Sequence, residues 1–168
     1  MKKLTLFVAI LAMSPLLGAQ NIKLGYINAQ EVMMLMPEIS QIEKEMADYT
    51  AKNQQYMQDM QKEIQEKAAK YEQQADSLTD AIRKVKEQEL QTLYQRYQSA
   101  QETLYSETQN KQQKLLEPVQ TKVKNAITTV AKKGGFTYIF DTGTGAVLYK
   151  SDQAIDITAQ VKKELGIL

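Results

Sequence analysis

The chain has 168 residues, with 21 Lys and Arg against 20 Asp and Glu, and it contains no cysteine and no histidine. So even a charge balance gives no general attraction to nucleic acid. The two missing residue types exclude disulfide staples, cysteine nucleophiles, thiolate zinc sites and imidazole acid–base chemistry, so stability has to come from packing and assembly.

Residues 1–19 open with Lys2 and Lys3, continue through an apolar run at 4–13 and leave through Ser14-Pro15 to Gly18-Ala19. A basic head, a short apolar core and a small-residue exit predict a secretory signal peptide, and the apolar run is too short to span a membrane. Removal near Ala19 leaves a mature chain, 20–168, with 19 basic residues against 20 acidic. No cysteine follows the cut to carry a lipid, and no stable membrane insertion is expected.

Residues 22–28 (Ile-Lys-Leu-Gly-Tyr-Ile-Asn) read as a short strand, and Asn28 with Glu31 makes a capping box for a helical turn through Val32 to Met36. Pro37 then resets the backbone. From 38 to 132 the chain has no glycine and one proline, Pro118, which predicts a very long helical segment. Ile39, Ile42, Met46, Tyr49, Tyr56 and Met60 form a coiled-coil seam, and Leu90, Leu93, Tyr97, Ala100 and Leu104 form its counterpart. The seam breaks near Ala75, where Ser77-Leu78-Thr79-Asp80 offers a second capping box. The expectation is an antiparallel hairpin with arms of similar length and its tip at 76–79.

Gly134-Gly135 stops the returning helix after Lys132-Lys133. Residues 136–141 and 146–150 flank Thr142-Gly143-Thr144-Gly145 and predict a two-stranded hairpin. Asp156-Ile157-Thr158 offers N-caps for a last helix that turns Val161 and Leu165 inward and ends at Gly166. The expected fold class is α+β, mostly α. A head of three short strands and two short helices (20–37 and 133–168) carries a coiled-coil hairpin (38–132) in one domain. Three strands leave sheet edges open, so self-association is expected.

Candidate contact residues follow from side-chain chemistry. The methionines of the mature chain crowd the head and the first arm. Met33, Met34 and Met36 read as core, whereas Met57 and Met60 suit either the seam or an adaptable surface for irregular apolar partners. Tyr49, Tyr56, Tyr71 and Tyr97 fit the seam, and Tyr94 and Tyr105 fit a partner-facing surface where a ring is offered and its hydroxyl stays wet. Charge divides the arms. In the parts of the arms nearest the head, Lys111, Lys114, Lys122, Lys124, Lys132 and Lys133 face Glu117 alone on the returning arm (111–133), while Glu38, Glu43, Glu45, Asp48 and Asp59 outnumber Lys44 and Lys52 on the outgoing one (38–60). Mutual pairing across the hairpin is the favoured reading, and a positive excess around Lys122, Lys124 and Lys132 lining a cavity is the functional one. Pro118 is either a kink that splays the arm or a tolerated bend where the arm joins the head.

Lys23-Leu24-Gly25-Tyr26-Ile27-Asn28, Val32, Met36-Pro37-Glu38, the Gln/Lys/Glu-rich hairpin, Pro118, the run from Gly134 to Asp141 and the run from Asp156 to Val161 together resemble the OmpH/Skp family of periplasmic chaperones. The resemblance covers the whole mature chain. It implies a homotrimer with a barrel-like head and helical tentacles around a cavity, which holds unfolded outer-membrane β-barrel proteins without ATP. It also implies a periplasmic location. The residues themselves offer no catalytic constellation, since the carboxylates are scattered over solvated helix faces and Gly143-Thr144-Gly145 lacks the spacing and lysine of a phosphate-binding loop, and no cofactor or metal is expected. One feature departs from the family pattern. Residues 62–96 carry seven basic and seven acidic side chains, so the tip has no charge excess for electrostatic capture of partners or lipopolysaccharide.

Two non-enzymatic readings result: a holdase that cages clients, and a coiled-coil spacer or adaptor of the cell envelope. A spacer needs a dense Leu/Ile seam for stiffness. Asn53, Lys67 and Thr108 interrupt this one, which favours the holdase.

Overall fold

The computed structural model describes residues 22–167; the expected signal peptide lies outside them. Strand β1, Leu24–Ile27, leads into the short helix α1, Ala29–Met34. Asn28 caps this helix, its Oδ1 accepting from the Glu31 N–H at 3.1 Å, which satisfies a donor that the first turn cannot. Met36 is extended, and Pro37 is the first residue of α2, Pro37–Gln74. A missing N–H costs nothing at that position.

Helix α2 ends in a 3-10 turn, Ala75–Ser77, and α3 runs from Asp80 to Lys133, unbroken through Pro118. The long helical hairpin is as the sequence predicts, but the turn between its arms is closed differently. Ser77 Oγ donates to the Gln74 carbonyl at 2.8 Å, and Thr79 occupies the N-cap without a side-chain bond, so the expected box of Ser77 and Asp80 does not form. Arg83 Nη2 instead donates to the Ala75 carbonyl at 3.2 Å, taking up an acceptor at the end of α2. The arms are also unequal, 38 residues against 54. The last turns of α3 leave the hairpin and become the spine of the head.

Strand β2, Tyr138–Asp141, and strand β3, Ile155–Asp156, flank β1 in the order β2-β1-β3, and both pairings are parallel. The hairpin expected between 136–141 and 146–150 is absent. Asp141 Oδ1 accepts from the Gly143 N–H at 2.9 Å and opens a 3-10 turn, Thr142–Thr144, and Gly145 at φ 73° sends the chain away from β2. The helical excursion is the crossover that a parallel β1–β2 pair requires. Residues 146–150 therefore form an extended strap with Leu148 96% and Tyr149 84% exposed, and the third strand comes later.

The main buried cluster lies in the head. Ile27, Val32, Met36, Ile39, Val119, Val123, Ala126, Val130, Ile157 and Val161 make one buried cluster. The last helix, α4 (Thr158–Leu165), supplies Val161 to it, packs Leu165 against it, and stops at Gly166 with φ 72°. Asp156 Oδ1 accepts from the Thr158 N–H at 2.8 Å at its start. Met36 is buried and Met33 half-buried as expected, whereas Met34 is 58% exposed, because α1 ends there and the chain turns toward Pro37. Gly25 has a steric reason: a Cβ there would lie 2.8 Å from the Phe136 ring, which crosses β1. Among the described residues no helix is long and apolar enough to cross a membrane.

Candidate functional site

Outside the head the two arms hold each other with little apolar area. Beyond Ile39, at the head, the buried arm residues are Ile64 and Leu93. Half-buried seam positions run through Ile42, Met46, Tyr49 and Asn53, then Met57 and Met60, and lead to the buried Ile64. The two four-residue steps, from 49 to 53 and from 53 to 57, shift the stripe by one position. Met57 accordingly takes the seam place expected for Tyr56, which is 50% exposed. The returning arm makes the same shift between Leu104 and Thr108. The two irregularities face each other, with Asn53 Nδ2 donating to Thr108 Oγ1 at 3.3 Å. Such insertions locally unwind a supercoil.

A polar ladder covers the remaining length. Lys122 Nζ meets Glu38 Oε1 at 2.6 Å, Lys111 meets Glu45 at 2.5 Å, Tyr49 Oη donates to Glu107 at 3.3 Å, and Tyr71 Oη donates to Glu87 at 2.6 Å. Lys67 lies 3.5 Å from Glu63 and 3.6 Å from Glu89. Exposed pairs of this kind contribute about 0.2–1 kcal/mol each. Of the residues that interrupt the apolar seam, Asn53 and Thr108 pair with each other and Lys67 with Glu63 and Glu89, and the arms remain soft.

The Glu38 carboxyl sits below its ordinary range because Lys122 donates to it. A depressed folded-state value stabilises the fold above the unfolded carboxyl's range, and this contribution disappears as pH falls through the folded value. Lys122→Gln is therefore expected to lower the unfolding free energy measured by urea titration at pH 7, by about 1 kcal/mol at most for so exposed a pair. Wild type and variant should converge as the pH falls through the depressed Glu38 value. A gap that persists in acid would show that Lys122 acts through something other than Glu38.

The candidate residues do not converge on one spot. Met57 and Met60 are half-buried between the arms, and Lys122 is engaged by Glu38. Tyr94 and Tyr105 stand 52% and 71% exposed on α3. Among the described residues Lys124 and Lys132 enter no ion pair. Lys124 borders a groove of about 420 Å³ at the foot of the arm, walled by Ile27, Met33, Val123, Ile127 and Ile139.

Over residues 23–165 the chain matches the family model described as outer membrane protein, OmpH-like. It belongs to the OmpH-like family. A search of curated proteins finds no match.

In this OmpH-like chain two further surfaces escaped the sequence reading. One is the outer face of the sheet, where Leu24, Tyr138 and Phe140 are 46%, 61% and 47% exposed, while Gly25, Ile27 and Ile139 turn toward the helices. The strap at 146–150 stands off this face around an open groove of about 1040 Å³. Lys150 Nζ donates to Tyr26 Oη at 3.0 Å and lies 4.3 Å from that ring's centroid, which ties the strap's end to β1. The alternation of Leu24 and Tyr26 with Gly25 and Ile27 was the available signal. The other surface is Ile82 and Val85 beside the tip, 48% and 59% exposed. They are three residues apart, a little less than one full turn, and share one face of α3.

Proposed function

We propose that the chain is an ATP-independent periplasmic holdase that assembles through its head as a homotrimer. It holds unfolded outer-membrane β-barrel proteins in the cavity between its helical arms. The observation that carries this reading is where the apolar surface lies. The buried cluster is confined to the head, yet the arms expose Tyr56, Ile82, Val85, Tyr94 and Tyr105, each by about half of its surface or more. Dispersed, mostly tyrosine contacts suit a binder of many sequences, because they offer apolar area without a continuous stripe that would aggregate. Membership of the OmpH-like family supports the same function and the periplasmic location.

Among the seven candidate contact residues, Tyr94, Tyr105, Lys124 and Lys132 are open to a client in the closed hairpin. Met57, Met60 and Lys122 become available when the arms part, which a seam held by weak polar pairs permits.

The test is dilution of a urea-unfolded outer-membrane barrel protein into the purified mature protein, followed by light scattering. Aggregation is expected to be suppressed at equimolar trimer, equally with and without ATP. Unchanged scattering would leave the spacer reading in its place.

A further inference from the structure

One flank of α3 is free of charge along most of the arm. Tyr94, Tyr105, Leu116 and Ile127 recur every eleven residues, a spacing of three turns that keeps them nearly in line. Between Tyr94 and Tyr105 this flank presents Gln98 and Gln101, and between Tyr105 and Leu116 it presents Gln109 and Gln112. All four glutamines are exposed. The line then enters the groove at the head, where Val123 and Ile127 form part of the wall. Of the eight charged residues between 91 and 127, Glu102 and Lys124 stand at the border of the flank and the other six lie on other faces.

We infer that this flank, from Tyr94 to the groove, is the lane on which the holdase lays an extended, charge-poor segment of its client. The inference rests on the holdase reading and names the surface and the segment type. Three features fix the occupant. An uncharged lane bordered by charged faces admits an uncharged segment and rejects one that would lose the hydration of a charge. Apolar anchors three turns apart are too sparse for the knobs-into-holes packing of another helix, which needs one at every three or four residues. Glutamine amides both donate and accept, so they satisfy the unpaired N–H and C=O groups of an extended backbone, which a helix would already have satisfied internally. The 33 residue steps from Tyr94 to Ile127 span about 50 Å of helix. That length matches an extended segment of about 15 residues.

The test places a photo-crosslinking phenylalanine analogue at Gln98 or Gln109 on the lane, or at Ser99 or Asn110 on another exposed face. The mature protein is then loaded with a urea-unfolded outer-membrane barrel protein and irradiated. Client adducts at Gln98 and Gln109 should exceed those at Ser99 and Asn110 at least fivefold. In a parallel arm, Gln98→Glu, Gln109→Glu and Gln112→Glu together should slow capture at least fivefold with helix content unchanged, since Gln and Glu have similar helix propensity. The pair Ser99→Glu and Asn110→Glu should alter capture less than twofold. Retained client with equal adducts on both faces, or adducts from Gln98 to a second copy, would overturn the lane and leave the holdase standing. Absence of any captured client would remove the holdase reading, and the lane with it.

Discussion

Val161→Asp is expected to unfold the head and to take the arms with it. Val161 and Ile157 are fully buried, in the same cluster as Val119, Val123, Ala126 and Val130 of α3. A carboxylate placed there has no partner, and burying an unpaired charge belongs to the few single changes that cost about 4 kcal/mol or more. That is a large share of the roughly 5–15 kcal/mol that holds a typical domain. Ile157→Ala, which only opens a cavity, should cost about 2–5 kcal/mol. Once the head is lost, Ile64 and Leu93 with a ladder of exposed polar pairs cannot keep two helices together. Far-ultraviolet helicity should therefore collapse together with the head, whereas Ile64→Ala should quicken hydrogen exchange mainly in the distal arm. Arms that stay fully helical beside an unfolded head would show that the hairpin is self-sufficient, contrary to this division of labour.

The parts legible in the sequence are those encoded by neighbouring residues. Asn28 as a cap, Pro37 at the start of a helix, the glycine-free stretch, the stop at Gly134-Gly135 and the end at Gly166 each act within a turn of where they are written. The parts that were not legible depend on residues far apart in the chain. Thr142-Gly143-Thr144-Gly145 has the composition of a hairpin turn, but the Asp141 carboxylate folds it into a 3-10 turn. β1, more than a hundred residues earlier, already pairs with β2. Strand β3 consists of Ile155 and Asp156 and exists only because Gly25 and Tyr26 pair with it. No local pattern announces two residues.

The same division holds for the candidate surfaces. Exposure of Tyr94 and Tyr105 could be read from the helical phase of the arm, since the phase is regular from Leu90 to Leu104. Tyr56 could not, because a four-residue step on the outgoing arm moves the seam to Met57, and that step is defined by the partner arm through Asn53 and Thr108. The engagement of Lys122 by Glu38 likewise requires knowing the register of two segments 84 residues apart.

Leu148→Asp combined with Tyr149→Ser is expected to turn the assembled protein into monomers without harming the subunit. Parallel sheets are normally covered on both faces. Here the helices cover one face, and Leu24, Tyr138, Phe140 and the strap lie open on the other. The unpaired sides of β2 and β3 add two edges ready to accept strands. Monomers rarely leave contiguous apolar surface of this kind uncovered, and further copies of the chain are the partner that the proposed trimer supplies. Leu148 and Tyr149 are 96% and 84% exposed in the single chain, so removing them subtracts almost nothing from its own packing. Central apolar and aromatic side chains of an interface typically contribute 2 kcal/mol or more each. Losing two should weaken assembly by roughly a thousandfold, at about 1.4 kcal/mol per factor of ten. Multi-angle light scattering at micromolar concentration should return a trimer mass for the mature wild type and a monomer mass for the variant, with equal helicity by circular dichroism. An oligomeric variant would place the contact elsewhere on the head, and a monomeric wild type would remove the assembly on which a shared cavity depends.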